Sequence, residues 1–237
     1  MFTVYKASDL VKKQFSYQWA VDNLIPDFGI SIIYAHPKIG KSLLSIQLSH
    51  ALTMGKPFLD CRVNTRKKVL YVQVDEPIRE WAKQIDLTGL SESWDTLHEE
   101  IGLLNNTQKV KELTLLCTQY DFIIMDSLLS LSGYADLSSN VVSGIYLERL
   151  KRLTDKPIWL IHHKRKGSPG IPDRKVDSAS FSFALTAGAS ALYDLSASSD
   201  GQSGTLQAVG RIVKRDINLQ RVKNSLLWTV DYSNILL

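Results

Sequence analysis

Apolar residues cluster along this chain in a pattern that predicts its elements. Four short runs, "ISIIYA" (30–35), "KVLYVQV" (68–74), "FIIMD" (122–126) and "PIWLIHH" (157–163), are each bounded by polar or turn-forming residues. Runs of that length, rich in branched and aromatic side chains, predict buried strands. The stretches between them have helical spacing. Lys41–Met54 places Leu43, Leu44, Ile46, Leu48, Ala51 and Leu52 close to one helical face, and Gly55 followed by Pro57 supplies a stop. A second helix is predicted over "VVSGIYLERLKRL" (141–153), leading into the fourth strand. The alternation implies an α/β fold with a mostly parallel, twisted sheet flanked by helices.

Beyond the fourth strand the pattern changes. "HKRKGSPGIPDRKVD" (163–177) holds Lys, Arg, Gly and Pro with little apolar content, which predicts a mobile basic loop over 164–177. "ALYDLSA" (191–197), "TLQAVG" (205–210) and "SLLWTVD" (225–231) then predict antiparallel strands extending the sheet, with a turn in "SASSDGQSG" (196–204). Phe181 and Phe183 lie in a small-residue apolar stretch and are expected in the core. Trp19, Trp81, Trp94, Trp159 and Trp228 are likewise expected to pack rather than to bind. No internal repeat is present, so 1–237 reads as one domain, with 1–28 as a lead-in segment.

Composition changes this picture little. The chain has 237 residues, 44% of them hydrophobic and 22% charged, which suits a soluble domain with a sizeable core. Cys61 and Cys117 are far apart and have no metal-ligand spacing, so neither a disulfide framework nor a zinc site is expected. A cytoplasmic setting follows as the expectation. The N-terminus lacks the basic-then-apolar pattern of a secretory signal, and no apolar run approaches the roughly 18 residues of a membrane span. The net charge of +4 neither argues for nor excludes nucleic acid.

Candidate chemistry begins at "YAHPKIGKSLL" (34–44). It has the spacing of a phosphate-binding loop, G-x-x-x-x-G-K-[ST], with Ala35 in place of the first glycine. In such a loop, between a strand and a helix, backbone N–H groups and the helix dipole face the phosphates. His36, Pro37, Lys38, Ile39, Gly40, Lys41 and Ser42 would form the cradle, with Lys41 on the terminal phosphates and Ser42 on magnesium. Ala35 is tolerable if it ends the strand with negative φ, because only positive φ demands glycine. Hydrolysis also needs a carboxylate behind the metal and a group that orients water. Asp126, ending the third strand, fits the first need; Asp75 and Glu76 in "VDEP" fit the second. On an extended strand only one of those two neighbours would face the phosphates. His162 and His163 end the fourth strand, where a polar group can reach a terminal phosphate.

In order and spacing, five segments resemble the RecA-fold ATPases, and among them the RepA-like hexameric replicative DNA helicases of plasmids and phages. They are "WAVDNLIPDFGISIIYAHPKIGKSLLSIQLSHAL", "VLYVQVDEP", "YDFIIMDSL", "LIHHKRKG" and "GRIVKRD". The resemblance covers most of the chain and implies a RecA-like P-loop NTPase core that binds ATP and Mg2+ through Lys41, Ser42 and Asp126. The family's catalytic glutamate falls on Asp75, a shorter acid, with Glu76 beside it. His162 or His163 corresponds to the γ-phosphate sensor, and Lys164, Arg165 and Lys166 begin a loop resembling the one that faces DNA. Arg211, or else Lys214 or Arg215, corresponds to the finger inserted into a neighbouring subunit. The partners implied are single-stranded DNA and further copies of the chain, a hexameric ring being favoured, with no membrane. Two other readings stand beside this one: an ATP-gated DNA- or protein-binding module with slow hydrolysis, and a small-molecule P-loop kinase, for which no arginine-bearing lid is evident.

Overall fold

The computed structural model describes residues 4–12, 18–164, 183–223 and 225–233, leaving aside the side chains of 10–12. Helix α1 (Ala7–Lys12) and an antiparallel ribbon of β1 (Trp19–Val21) and β2 (Ile25–Pro26) come first. Then follow β3 (Ile30–Ala35), α2 (Lys41–Met54), β4 (Val69–Gln73), α3 (Ile78–Thr88), β5 (Asp95–His98), a 3-10 turn at Leu103–Asn105 and α4 (Thr107–Cys117). The second half holds β6 (Phe122–Asp126), α5 (Leu128–Leu131), α6 (Asn140–Leu153), β7 (Ile158–His163), α7 (Phe183–Gly188), β8 (Ala191–Ala197), β9 (Ser203–Gly210), β10 (Lys214–Arg221) and β11 (Trp228–Val230).

Nine strands form one sheet in the order β11-β10-β9-β8-β3-β7-β6-β4-β5. All neighbours from β8 through β5 are parallel, and β9, β10 and β11 add on antiparallel. The predicted extension is therefore present, except that its first strand, β8, runs parallel to β3. The chain leaves β3 for β4, three places away, and later fills the places on both sides of β3. Such a switch in strand order opens a crevice at the carboxyl ends, where ligands bind in sheets of this kind.

The apolar runs became strands because both sheet faces are covered. Every residue of β3, β4 and β6 is buried. Alternate side chains enter two separate cores. Ile33, Tyr71, Ile124, Trp159 and Ile161 pack with Leu44, Ile46 and Leu48 of α2 on one face. Ile32, Val72, Met125 and Leu160 pack with Leu113 of α4 and Leu147 and Leu150 of α6 on the other. Helix α2 spans the predicted residues and stops at Gly55, whose φ of 65° lets its N–H reach the carbonyl of Ala51.

The tryptophans pack as expected: Trp81, Trp159 and Trp228 are buried, and Trp19 and Trp94 lie against the same core. Phe183 does not. It is 77% exposed at the start of α7, because that short helix turns Leu185 inward instead. Phe181 lies outside the described residues. Two strands carried no apolar signal. In β10 only Ile217 and Leu219 are buried, between exposed Lys214, Arg215, Asp216, Asn218 and Gln220. β5, at the sheet edge, is short and polar.

Candidate active site at the carboxyl ends of the parallel strands

The loop between β3 and α2 needs glycine at one end only. Ala35 stays buried with ordinary strand backbone, whereas Lys38 (φ 65°) and Gly40 (φ 104°) take the left-handed turn that delivers the chain to α2. The glycine missing at 35 is therefore not required there. His36, Pro37 and Lys38 form an exposed crest, and Ile39 and Gly40 are half-buried.

Lys41 is buried beneath that crest, and its Nζ donates to the carbonyls of His36 (3.0 Å) and Ala35 (3.3 Å). Burial lowers its pKa to about 8 against the opposing pull of Asp126 and Asp75. Ser42 Oγ donates to Asp126 Oδ2 at 2.7 Å, and the Tyr71 hydroxyl donates to the same oxygen at 2.9 Å. Burial pushes the Asp126 carboxyl up, while the two hydroxyl donors hold it down. Tyr71 hid within an apolar run, and nothing in the sequence marked its hydroxyl.

The "VDEP" acids depart from the expectation of one facing in and one out. β4 ends at Gln73, so Asp75 and Glu76 lie in a bend rather than on the strand, and strand alternation does not apply. Gln73, fully buried, holds that bend through Oε1, which accepts the backbone N–H of Asp75 (2.7 Å) and of Glu76 (3.4 Å). A glutamine inside an otherwise apolar strand was the signal available for it. Asp75 Oδ1 accepts from Ser130 Oγ of α5, and Oδ2 is 3.3 Å from His163 Nε2. These contacts hold its carboxyl below the usual range, the His163 hydrogen bond most of all. Glu76 is pushed up by burial, although Gln84 Nε2 donates to its Oε2 at 2.6 Å.

Both acids face one cavity of about 360 Å³, which is also lined by Lys38, Gly40, Lys41, Ser42, Leu43, Gln84, His163 and Leu226. Of the two histidines, His163 reaches the acid. His162 is buried and lines a second cavity of about 320 Å³ with His163, Lys164 and the segment around Tyr134. Lys164 turns inward: its Nζ lies 2.6 Å from Asp194 Oδ1 and 2.8 Å from Oδ2, and its side chain is 10% exposed. Arg165 and Lys166 lie outside the described residues. Arg211 is exposed in the turn between β9 and β10. Since Gly210 pairs with Ala191 and Tyr34 with Asp194, that turn is at the end of the sheet away from Lys41. Lys214 follows it, and Arg215 Nη1 donates to Cys61 Sγ at 3.1 Å.

A family model described as an AAA domain matches residues 3–169. The chain belongs to that AAA domain family. A search of curated proteins found no match. Among solved structures the domain is similar to the flagellar accessory protein FlaH from Methanocaldococcus jannaschii, at 17% identity and a TM-score of 0.55 over 88% of this chain and 92% of that one. The fold is RecA-like, and the AAA domain is a P-loop ATPase of the RecA type. Its donor set fits ATP with magnesium: a hydroxyl and a carboxylate, both oxygen ligands, meet at Ser42 and Asp126 beside a buried lysine. Among the described residues no helix is long and apolar enough to cross a membrane, and no group of three His, Cys, Asp or Glu is placed to hold a metal by itself.

Proposed function

We propose that the chain hydrolyses ATP to work along single-stranded DNA, as a motor resembling the RepA-like replicative helicases and assembled as a ring, a hexamer being favoured. The observation that carries the reading is the convergence of Lys41, the Ser42–Asp126 pair and the Asp75–His163 pair at neighbouring strand ends. Lys41 neutralises charge on the terminal phosphates. Magnesium held by Ser42 and Asp126 would withdraw further charge from the phosphate oxygens. Asp75, or Glu76 beside it, orients the attacking water. His163, touching Asp75 and next in sequence to Lys164, links the site to the segment that follows β7. Arg211, or else Lys214 or Arg215, completes the site of a neighbouring copy; Arg211 is too far from its own Lys41 to act there.

For DNA, Arg165 and Lys166 supply phosphate contacts. Tyr134, 58% exposed on the rim of the second cavity, supplies an aromatic face on which a base can stack. The test is steady-state ATP hydrolysis with and without single-stranded DNA, for the native protein and for Lys41→Ala, Asp75→Ala and Glu76→Ala. Hydrolysis stimulated by DNA, abolished by Lys41→Ala, and accompanied by DNA binding that weakens with salt is the expected result. Particle mass with ATP should exceed that of one chain.

A second reading is favoured by one observation. Both oxygens of Asp75 are engaged, by Ser130 and His163, and the acid is one methylene shorter than glutamate. That arrangement suits an ATP-gated DNA- or protein-binding module with slow turnover. Tight ATP binding with hydrolysis indifferent to DNA would select it.

A further inference from the structure

Arg221 closes β10 at the phosphate-loop end of the sheet, and its guanidinium lies on that loop. Its Cζ is 3.7 Å from the centroid of the Trp228 ring. Nη1 donates to the carbonyl of Leu226, and Nη2 to the carbonyl of Ile39 at 3.4 Å. The platform is fixed to α2 by a pair of hydrogen bonds: Trp228 N–H donates to Gln47 Oε1, and Gln47 Nε2 to the Trp228 carbonyl, both at 2.8 Å. A Cβ on Gly40 would stand 2.6 Å from Arg221 Nη2 and 3.3 Å from Trp228 Nε1. Guanidinium and indole edge therefore meet at the residue preceding Lys41.

Two features of this cluster are unsatisfied. Among the described residues Arg221 forms no ion pair; its partners are carbonyls and a ring, and its half-burial is offset by no neighbouring charge. Trp228 is 2% exposed, and its Nε1–H has no hydrogen-bond partner. A half-buried cation and a buried orphan donor both cost stability. Both stand against the loop at Gly40, whose backbone is shaped to receive an anion, and beside Leu226, which lines the cavity there, so an approaching phosphate group is the partner that suits them. The sheet order says which phosphate. Asp126 and His163 end β6 and β7, and Asp75 follows β4, on one side of β3, whereas Arg221 ends β10 on the other. The terminal phosphate faces the acids, so Arg221 faces the phosphates nearer the nucleoside.

We infer that Arg221 is a second cationic phosphate ligand within the same chain, taking the non-terminal phosphates of a nucleoside di- or triphosphate, with Trp228 as its platform and a neutral donor beside it. The inference rests on the nucleotide-site reading of Lys41, and the two fail differently. Binding of MgADP and of magnesium pyrophosphate is measured by calorimetry for the native protein, Lys41→Ala, Arg221→Gln, Arg221→Lys and Trp228→Phe, each first checked for native melting. Arg221→Gln is expected to weaken both ligands by about tenfold or more, as for a lost charge-assisted hydrogen bond. The slope of its affinity against salt should also fall, and Arg221→Lys should recover part of the loss. Trp228→Phe, which keeps an aromatic face but not the Nε1–H, should weaken both ligands by a smaller factor. If Arg221→Gln weakens MgADP but leaves pyrophosphate unchanged, the residue contacts the nucleoside and the inference is overturned. Unchanged affinity for both ligands overturns it as well. Should Arg221→Gln not fold, Arg221→Lys binding both ligands with native affinity and an unchanged response in Trp228→Phe would overturn it. Unchanged binding in Lys41→Ala would instead remove the nucleotide site itself.

Discussion

On one side of β3 stand β7, β6 and β4, in which all residues but His163 are buried; on the other stand β8, β9 and β10, in which buried positions alternate with open ones. These three parallel strands are covered on both faces, so they are apolar along their length and become polar only at their ends, unlike the edge strand β5. A polar residue there stands out, as Asp126 and His163 do. The antiparallel side leaves much of one face open, and apart from Leu192 and Val209 the larger side chains there are polar. A functional residue such as Arg221 is hidden there among Lys214, Arg215 and Gln220. The same sheet thus carries two kinds of site, one marked by contrast and one camouflaged.

The sharpest test of this division is Asp126→Asn, with the smaller change Tyr71→Phe beside it. Groups that hydrogen-bond to a metal's ligands typically contribute about 10–100-fold to affinity or activity, so Tyr71→Phe should lose on the order of tenfold in hydrolysis, and Asp126→Asn more than about 100-fold. Stability should move the other way. Burial raises the Asp126 pKa, so the buried charge is a cost to the fold, and the asparagine variant should melt at a higher temperature than the native protein. Loss of both activity and melting temperature would break the claim that this strand end is kept for chemistry.

Stability measurements test the same division in the cores. Trp159 is fully buried on β7, donates from Nε1 to Ser45 Oγ at 2.9 Å, and packs on Tyr193 with ring centroids 4.6 Å apart. Trp159→Ala should cost about 3–5 kcal/mol, the range for large aromatics in cores. Ile217, buried on β10 beside an open face, should cost about 2 kcal/mol when changed to alanine, the lower end for that substitution. Urea midpoints measure both, and equal losses would mean that the antiparallel side is as tightly packed as the parallel one.

This asymmetry also governs how much was legible in the sequence. β3 and β6 were readable to the residue, and α2 as well, because an apolar run or a helical face is a local signal. β10 was not, because five of its eight residues are exposed, and its strand identity comes from pairing with β9 from Lys214 to Gln220. Phe183 was misplaced because hydrophobicity alone does not say which way a six-residue helix turns. In the site, the phosphate loop and Asp126 were legible from spacing. The Asp75 contacts with Ser130 and His163, the Tyr71 hydroxyl and the Arg221 platform join residues at least 55 positions from their partners, save Arg221 with Leu226 and Trp228. Only the folded chain assembles them.

A tenfold effect is expected at alkaline pH, and it separates the two sides at the phosphate loop. Lys41 has its pKa lowered to about 8, mainly by burial. Bound phosphate requires its charged form, so MgADP affinity should fall about tenfold per pH unit above pH 8. The arginine from β10 keeps its charge throughout that range, so Lys41→Arg should flatten the profile. An affinity independent of pH from 7 to 9 would mean that Lys41 stays charged in the empty site. The sign for folding is the reverse. Because the folded pKa lies below the unfolded one, the charged form is disfavoured on folding, and the empty protein should gain stability between about pH 8 and the ordinary lysine pKa.

The smallest expected effect decides between two adjacent acids at the end of β4. Asp75 is held below the ordinary carboxylate range, chiefly by the His163 hydrogen bond, and Glu76 is pushed above it by burial. A residue that orients water must be ionised, so the acid limb of the hydrolysis profile takes the pKa of whichever acid acts. If Asp75 acts, the limb lies below the usual carboxylate range, and His163→Ala, which removes the main cause of the shift, moves it up. If Glu76 acts, the limb lies above that range, and Gln84→Ala, which removes its hydrogen-bond donor, moves it further up. We expect the first pattern, because Asp75 is the acid in contact with His163 at the next strand end but one. A limb that responds to Gln84→Ala and not to His163→Ala would transfer the role to Glu76, and would leave the Asp75–His163 pair as a structural tie across the parallel strands.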